Sequence, residues 1–161
     1  MKHWRNITLI AVALLLMSSC NNAVFYSDSH SIEGKTWSMF NPERYDITIE
    51  DSLQYYDFYV DLRIRDNYKY SNLFLFITTT FPDGSIAKDT LECPIADAEG
   101  KWFGKHSGTM VDYRFPLCRK VRFPNLGTYH FDIVHGMRDN DLEGVKNLGL
   151  RMEYYSSKDK S

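Results

Sequence analysis

Cys20 is the residue whose neighbours in the sequence most clearly define a chemistry. The chain begins with six residues that carry basic charge and no acid, and eleven mostly apolar residues, 7–17, follow them. Ser18 and Ser19 then precede the cysteine. A thiol at this position could form a disulfide, act in redox chemistry or carry a lipid. The basic head, short apolar middle and small residues are the layout of a secretory signal, which favours the lipid.

The residues before Cys20 resemble the bacterial lipoprotein box, Leu-(Ser/Ala)-(Gly/Ala/Ser)-Cys. Met17 stands where leucine is usual, and Leu16 lies one place further out. The apolar run is shorter than the roughly 20 residues that a membrane-spanning helix needs. We therefore predict a lipoprotein signal peptide over residues 1–19 and lipidation of Cys20, with a soluble secreted protein cut nearby as the alternative. Two or three acyl chains, at about 0.8 kcal/mol per buried methylene, would hold the protein on a membrane.

The other two cysteines have no comparable context. Cys93 and Cys118 could form a disulfide in an oxidising compartment, or they could be small buried hydrophobic residues in two strands. Neither has a Cys or His partner at metal-ligand spacing, so the sequence predicts no metal site and no cofactor.

A glycine-rich stretch, GKWFGKHSG at residues 100–108, carries the next group of chemically capable side chains. It departs from a phosphate-binding loop because only three residues separate its first glycine from the Gly-Lys pair, and histidine follows the lysine. We expect a loop that presents charged and aromatic side chains to a partner. From this stretch, the predicted partner-binding residues are Lys101, Trp102, Lys105 and His106. Arg138 and Asp139 are predicted to lie beside them.

The remaining candidates give little support to catalysis or metal binding. DNDLEG, residues 139–144, begins like a calcium loop, but its twelfth position is Leu150 rather than glutamate, so a solvated acidic turn is expected. His130 and His135 would point to opposite faces of a regular strand, which predicts structural roles. No serine lies in a G-x-S-x-G elbow. We predict no catalytic residues.

Charge excludes one class of partner. The chain has 19 basic and 21 acidic residues, and loss of two basic residues with the signal peptide leaves a net charge of −4. Both signs are interspersed without a basic stripe, so nucleic-acid binding is not expected. The first acid after Cys20 is Asp28, eight residues on. An acidic cluster directly after the anchor marks surface export in some gram-negative groups, so we predict a periplasm-facing protein of the outer membrane.

Alternation of apolar and polar residues dominates from Trp37 onward and predicts an all-β domain. Residues 55–65 form one long alternating strand, and residues 72–81 and 86–93, joined by a PDGS turn, form a hairpin. Turn residues recur every eight to twelve positions, which predicts an antiparallel β-sandwich, with a jelly-roll-like order left open and a closed barrel as the alternative. Two short segments, residues 96–103 and 139–147, look helical.

The chain divides into four parts. After the signal peptide, residues 20–35 are interpreted as a lipidated tether in which an edge strand is left open. Residues 36–156 are predicted to form the β-sandwich domain, and residues 157–161 a polar tail.

Three stretches together resemble the GldH family of gliding-motility lipoproteins. They are YSNLFLFITTTFPDG, DTLECPIADAEGKWFGKHSG and GMRDNDLEGVKNLGLRMEYY, of which the second is the most specific. The resemblance covers nearly all of the chain after the signal peptide. It implies an envelope lipoprotein that is anchored to a membrane and contacts proteins of the motility and secretion machinery. It supplies no catalytic residues.

Three functions from different classes follow from these patterns. A non-catalytic envelope protein would dock partners through loops and sheet faces. A glycan-binding module would stack a sugar on Trp37 or Trp102, which requires that side chain to be exposed. A hydrolase would need two carboxylates, or a histidine and a carboxylate, that converge in a pocket. The first is predicted, and glycan binding is the main alternative.

Overall fold

The computed structural model describes residues 24–156. The predicted signal peptide, Cys20 and the predicted polar tail lie outside the described residues. The described chain consists of β-strands joined by turns and loops. The strands are β1 (Val24–Ser31), β2 (Thr36–Ser38), β3 (Glu43–Ile49), β4 (Tyr55–Arg65), β5 (Asn72–Thr80), β6 (Ile86–Pro94), β7 (Lys105–Ser107), β8 (Met110–Arg122), β9 (Gly127–His135), β10 (Asp141–Glu143) and β11 (Val145–Tyr154).

Two antiparallel sheets pack face to face around one apolar core. The first sheet has the order β1-β11-β4-β8-β7 and the second the order β3-β9-β5-β6, while β2 and β10 pair with each other. Every pairing among these strands is antiparallel. The predicted all-β sandwich is confirmed, and the alternative of a closed barrel is wrong.

The strand order is that of a jelly roll. When the short strands β2, β7 and β10 are set aside, the pairs β4–β8, β3–β9 and β1–β11 nest around the β5–β6 hairpin. A long antiparallel hairpin that rolls up on itself produces this nesting, because each outer pair wraps around the pair inside it. The jelly-roll-like order that the sequence left open is therefore present.

The longest alternating segment, β4, buries one face as predicted. Its inward side chains are at most 2% exposed and form the centre of the core: Tyr56, Phe58, Val60, Leu62 and Ile64. Full burial of an apolar side chain of this size stabilises a fold by about 1.5–3 kcal/mol. Most of the alternate residues face solvent, which explains the two-residue period.

Asp57 is the exception on the outward face of β4, because it is only 4% exposed. Its Oδ1 accepts a hydrogen bond of 2.7 Å from the Lys120 amide, and Arg119 lies 3.5 Å from its Oδ2. The register between β4 and β8 shifts on both sides of Phe58, and Lys120 adopts a φ of 54°. The carboxylate thus satisfies an amide at a bulge that bends the end of β8.

The β5–β6 hairpin forms around the predicted turn. Gly84 has a φ of 82°, which the turn requires and glycine adopts without strain. Asp83 Oδ1 accepts hydrogen bonds from the amide and the hydroxyl of Ser85, at 2.9 and 2.6 Å. On β5 the sequence is apolar on both faces, and the outer face accordingly leaves Phe76 45% exposed.

Both predicted helices are wrong, because strand pairing takes up both segments. Residues 96–103 form a tight β-hairpin. Residues 139–147 contribute β10 and the start of β11, and Leu142 of β10 pairs with Trp37 of β2 in the core. The apolar spacing of such short windows fits a helix or a strand, and long-range pairing decides between them.

β1 lies within residues 20–35, the stretch that the sequence interprets as a tether. It pairs with β11 as an edge strand, the option that the sequence left open. The Phe25 ring packs 5.0 Å from the Tyr56 ring. His30 Nδ1 lies 2.8 Å from Glu43 Oε2 of β3. The sheet therefore begins at the first described residue.

The sandwich has two ends, which we call proximal and distal. The proximal end contains the first and last described residues and the segments 50–54, 81–85 and 123–126. The distal end contains the segments 32–42, 66–71, 95–109 and 136–144. β4 has 11 residues and runs from one end to the other, which separates them by about 35 Å at about 3.4 Å per residue.

Candidate interaction surface

The predicted residue Lys101 lies on the tight hairpin at the distal end. Asp97 organises the turn, because its Oδ1 accepts hydrogen bonds from the amides of Glu99 and Lys101, at 3.1 and 2.8 Å. Gly100 has a φ of 82°, and its amide donates to the Asp97 carbonyl at 3.1 Å. Lys101 is exposed, so its ammonium group extends into solvent from a fixed backbone.

Trp102 and Phe103 differ in exposure although they are adjacent. Trp102 pairs across the hairpin with Ala96 and is half-buried against the core. Phe103 is 60% exposed, and its amide donates to the Ile95 carbonyl at 3.0 Å. Successive side chains of an extended segment point in opposite directions, but the sequence does not say which of two aromatic residues faces out. Phe103 is a surface residue that sequence analysis missed.

Lys105 and His106 continue the surface on the short edge strand β7. Both are exposed. Lys105 pairs with Asp112 on the outer face of the first sheet, whereas His106 pairs with the buried Val111 at the sandwich edge. Lys105 thereby lines a shallow depression on the outer face together with Arg63.

Arg138 and Asp139 lie on another distal loop, between β9 and β10. Arg138 is exposed, while Asp139 Oδ2 accepts a hydrogen bond of 2.6 Å from the Tyr70 hydroxyl and lies 3.5 Å from Lys69 Nζ. The Tyr70 hydrogen bond, and after it the Lys69 charge, holds the pKa of Asp139 below its ordinary value. Asp139 lines a different cleft from the depression at Lys105, so the six predicted residues do not form one pocket.

Phe40 is a second exposed aromatic residue at the distal end. It is 73% exposed in the segment between β2 and β3. An Asn-Pro pair follows it directly, and such a pair marks a turn, where an aromatic residue has no neighbouring strand to cover it. That pair is the signal by which the sequence could have revealed Phe40.

Trp37 belongs to the core. It is 2% exposed, its Nε1 donates a hydrogen bond of 3.1 Å to the Asn41 carbonyl, and its ring meets His135 edge-on at 5.2 Å. It therefore offers no face to a sugar, and only the half-buried Trp102 remains for the glycan-binding hypothesis.

His130 and His135 lie on opposite faces of β9. His130 Nδ1 lies 2.6 Å from Asp46 Oδ1 on the outer face, whereas His135 is buried with its Nε2 2.9 Å from the Trp37 carbonyl. Burial lowers the pKa of His135. Within residues 24–156, no three His, Cys, Asp or Glu side chains are arranged to hold a metal ion.

Cys93 and Cys118 are free thiols. This favours the alternative that they are small buried residues over the alternative of a disulfide. Cys93 is fully buried and Cys118 half-buried. Burial raises the pKa of Cys93 to about 12 and that of Cys118 to about 11. Both thiols therefore stay protonated at neutral pH and pack as small apolar side chains.

Paired charges cover the outer face of the first sheet. Arg63 Nε donates to Asp112 and Arg114 Nε to Asp61, each at 2.6 Å, and a second guanidinium nitrogen of each reaches the other carboxylate oxygen at 3.1 Å. Such two-point pairs fix both partners in place. Both carboxylates are thus occupied by arginines of the same face.

A mostly apolar groove of about 340 Å³ opens between β6 and the end of β8. Asp89 of β6 lines this groove. A charge that points inward from an edge strand is a device that prevents pairing with another strand. The edge of β6 is thus a poor site for strand addition, in spite of its position at the end of the sheet. The apolar lining includes Ile77, Leu91, Leu117, Val121 and Phe123.

The described chain has no helix with the length and hydropathy of a membrane span. Cys20 lies four residues before Val24, at which the proximal end begins. A lipid on Cys20 would therefore attach the domain to a membrane at its proximal end.

Comparison with known proteins identifies similar chains. A family model described as GldH lipoprotein matches residues 24–152. The gliding motility lipoprotein GldH homolog of Christiangramia forsetii is 29% identical over 155 residues, which cover 92% of this chain and 94% of the relative. The gliding motility lipoprotein GldH of Flavobacterium johnsoniae is 27% identical over 156 residues, which cover 92% of this chain and 96% of the relative.

One solved structure aligns with most of this chain at a low TM-score. A chain from the structure of infectious bursal disease virus Gx strain aligns over 86% of this chain and 31% of that chain, with 11% identity and a TM-score of 0.34. A score this low carries no argument about function.

Proposed function

Because this chain belongs to the GldH lipoprotein family, we propose that it is a lipid-anchored envelope protein that has no catalytic role and acts by contacting other proteins. The family resemblance predicted from three stretches of the sequence is confirmed. The relatives from Christiangramia and Flavobacterium are named for gliding motility, and we propose that this chain works with the motility and secretion machinery of its own cell.

We propose that the anchor is acylated Cys20 and that the protein hangs from the outer membrane into the periplasm. The lipobox-like residues before Cys20 support the anchor. The distance of eight residues to the first acid, Asp28, supports the periplasmic side. A β-sandwich that faces the periplasm would present its distal end to proteins about 35 Å from its point of attachment.

The exposed aromatic residues of the distal end are the observation that carries the contact role. Phe40 and Phe103 are 73% and 60% exposed on separate loops. Exposed charges of both signs lie at the same end, among them the cations Lys101, Lys105 and Arg138 and the acids Glu99 and Asp141. Aromatic and arginine side chains dominate the energetics of protein interfaces, because they bury large areas and still form polar contacts. We propose that this end binds a protein with apolar pockets and a rim of mixed charge.

Other surfaces fit this role less well. The arginines on the outer face of the first sheet are satisfied by carboxylates of the same face. The edge of β6 carries the inward-pointing Asp89. The distal end instead combines exposed apolar area with charged side chains of both signs that extend from loops.

Crosslinking in intact cells tests the proposal. Phe103→Ala and Phe40→Ala should weaken the capture of envelope proteins at least about tenfold, the effect of losing an interface hot spot. Phe76→Ala is the matched control, since it removes a 45% exposed phenylalanine from the middle of a sheet face. Equal capture by all three variants would contradict the proposal. Recovery of polysaccharide in place of protein would support glycan binding instead.

A further inference from the structure

The exposed apolar side chains of the described residues are unevenly distributed. Nine large apolar residues are exposed, and only Phe40, Phe76 and Phe103 lie away from the proximal end. Leu53 and Leu126 are the most prominent at the proximal end, with exposed fractions of 75% and 58%. The proximal group consists of Val24, Leu53, Tyr55, Ile86, Leu126 and Tyr154.

The proximal loops hold these side chains on short, hydrogen-bonded turns. The Leu53 amide donates to Asp51 Oδ1 at 2.8 Å. Asn125 Nδ2 donates to Asp83 Oδ2 at 3.2 Å, which ties the turn that carries Leu126 to the neighbouring turn between β5 and β6. The side chains of Leu53 and Leu126 thus extend from backbone that is already fixed.

The length of chain before the domain places this end next to the anchor. Val24 is the fourth residue after Cys20. Even a fully extended chain of four residues spans at most about 14 Å. If Cys20 carries the lipid, the proximal end cannot move away from the bilayer surface by more than this distance, so its apolar side chains are held within reach of the lipid.

Cations and tyrosines accompany the apolar side chains. Lys120 Nζ lies 5.6 Å from the centre of the Tyr55 ring and 5.5 Å from that of Tyr155, and the Arg122 guanidinium lies 6.0 Å from the Tyr55 ring. Tyrosine, lysine and arginine are typical of the headgroup region of a membrane, because each combines an apolar body with a polar tip. The acids at this end include Asp51 and Asp83, whose carboxylates accept the turn hydrogen bonds.

We propose that the proximal end is a membrane-contact surface, in which Leu53 and Leu126 insert into the boundary between lipid headgroups and acyl chains. This inference rests on the proposed anchoring through Cys20. It goes further because it gives the domain a fixed orientation, with the strands roughly along the membrane normal and the distal end directed away from the bilayer. A domain on a merely flexible tether would have no preferred orientation.

Fluorescence quenching by brominated lipid tests the insertion. Acylated protein without residues 1–19, and so without Trp4, is reconstituted into vesicles whose acyl chains are brominated near the headgroup. The native residues Trp37 and Trp102 both lie at the distal end, so they contribute an unquenched background. Leu53→Trp and Leu126→Trp should each lose about half of the added emission, as expected for a side chain at the acyl boundary. Phe103→Trp is the matched control at the distal end and should lose none.

Flotation of the same samples separates the two proposals. Variants that float with the vesicles but show no quenching at Leu53→Trp or Leu126→Trp would overturn the membrane-contact surface and leave the anchor intact. Protein that fails to float would overturn the anchor and this inference together. Quenching of Phe103→Trp to the same extent would also overturn it, because the domain would then lack the proposed orientation.

Discussion

The proximal and distal ends of the sandwich differ in how their chain is built. The proximal connections, 50–54, 81–85 and 123–126, are short turns. The distal connections are longer, and three of them contain the short strands β2, β7 and β10. Long connections on a rigid scaffold are where binding residues usually lie, whereas short turns cannot form a shaped surface. The distal end therefore suits recognition of a particular protein.

The two ends also differ in the type of side chain that they expose. The proximal turns present aliphatic tips, whereas the distal loops present phenylalanine beside lysine and arginine. A bilayer accepts any apolar side chain, because its interior has no fixed shape. A protein partner selects by shape and charge, for which aromatic and cationic groups are better suited. The comparison supports the proposed division between attachment at one end and recognition at the other.

The largest expected effect is the loss of attachment. Cys20→Ala removes the thiol that we propose carries the lipid and should move essentially all of the protein from the membrane to the soluble fraction, because aliphatic tips alone cannot replace two or three acyl chains. Fractionation of cells followed by immunoblotting measures the change. Cys118→Ala is the control and should stay with the membrane. A Cys20→Ala variant that remains membrane-bound would show that the proximal end does not depend on a lipid.

The second prediction separates two neighbours at the distal end. Trp102→Ala should lower the free energy of unfolding by about 3 kcal/mol, since the indole packs against the core. Phe103→Ala should change it by less than about 0.5 kcal/mol, as expected for an exposed side chain, and should weaken partner capture. Urea denaturation of both variants measures the difference. A small effect of Trp102→Ala would place the indole on the contact surface.

These two residues also show what the sequence predicts and what it leaves out. The two-residue period identified β4 and the β5–β6 hairpin, because burial of one sheet face is a local pattern. Which of Trp102 and Phe103 faces solvent depends on the pairing of residues 96 and 102. A local sequence pattern does not contain that pairing. The same holds for residues 139–147, in which pairing of Leu142 with Trp37 overrides a helical spacing. Functional residues on irregular loops are thus the hardest to assign.

The third prediction compares a glycine from each end. A Cβ at Gly104, in the distal end, would lie 2.7 Å from the Asp112 carbonyl oxygen and 2.6 Å from the Tyr113 ring, so Gly104→Ala should cost about 2–3 kcal/mol of stability. At the proximal end Gly84 has open space around it but a φ of 82°, so Gly84→Ala should cost only about 1 kcal/mol. Thermal unfolding of both variants ranks them. Equal losses would mean that the chain at Gly104 can shift.

The smallest expected effect concerns the charge of a distal carboxylate. The Tyr70 hydroxyl is the main cause of the lowered pKa of Asp139, so Tyr70→Phe should raise that pKa toward its ordinary value. Because the pKa is lower in the folded state, Asp139 contributes stability above its ordinary pKa, and this contribution disappears as the pH falls through the lowered value. NMR titration of the side-chain carboxyl carbon measures the shift.

Lys69→Met provides the comparison for Tyr70→Phe. The Lys69 charge lowers the pKa of Asp139 less than the Tyr70 hydrogen bond does. Lys69→Met should therefore raise that pKa by a smaller amount than Tyr70→Phe. If the two variants had equal effects, the ammonium charge would lower the pKa of Asp139 as much as the tyrosine hydrogen bond does. The distal cleft would then respond to salt, since the attraction between two exposed charges is screened and a hydrogen bond to a carboxylate is screened less. A measurement in low and high salt therefore decides which group sets the charge of the proposed recognition surface.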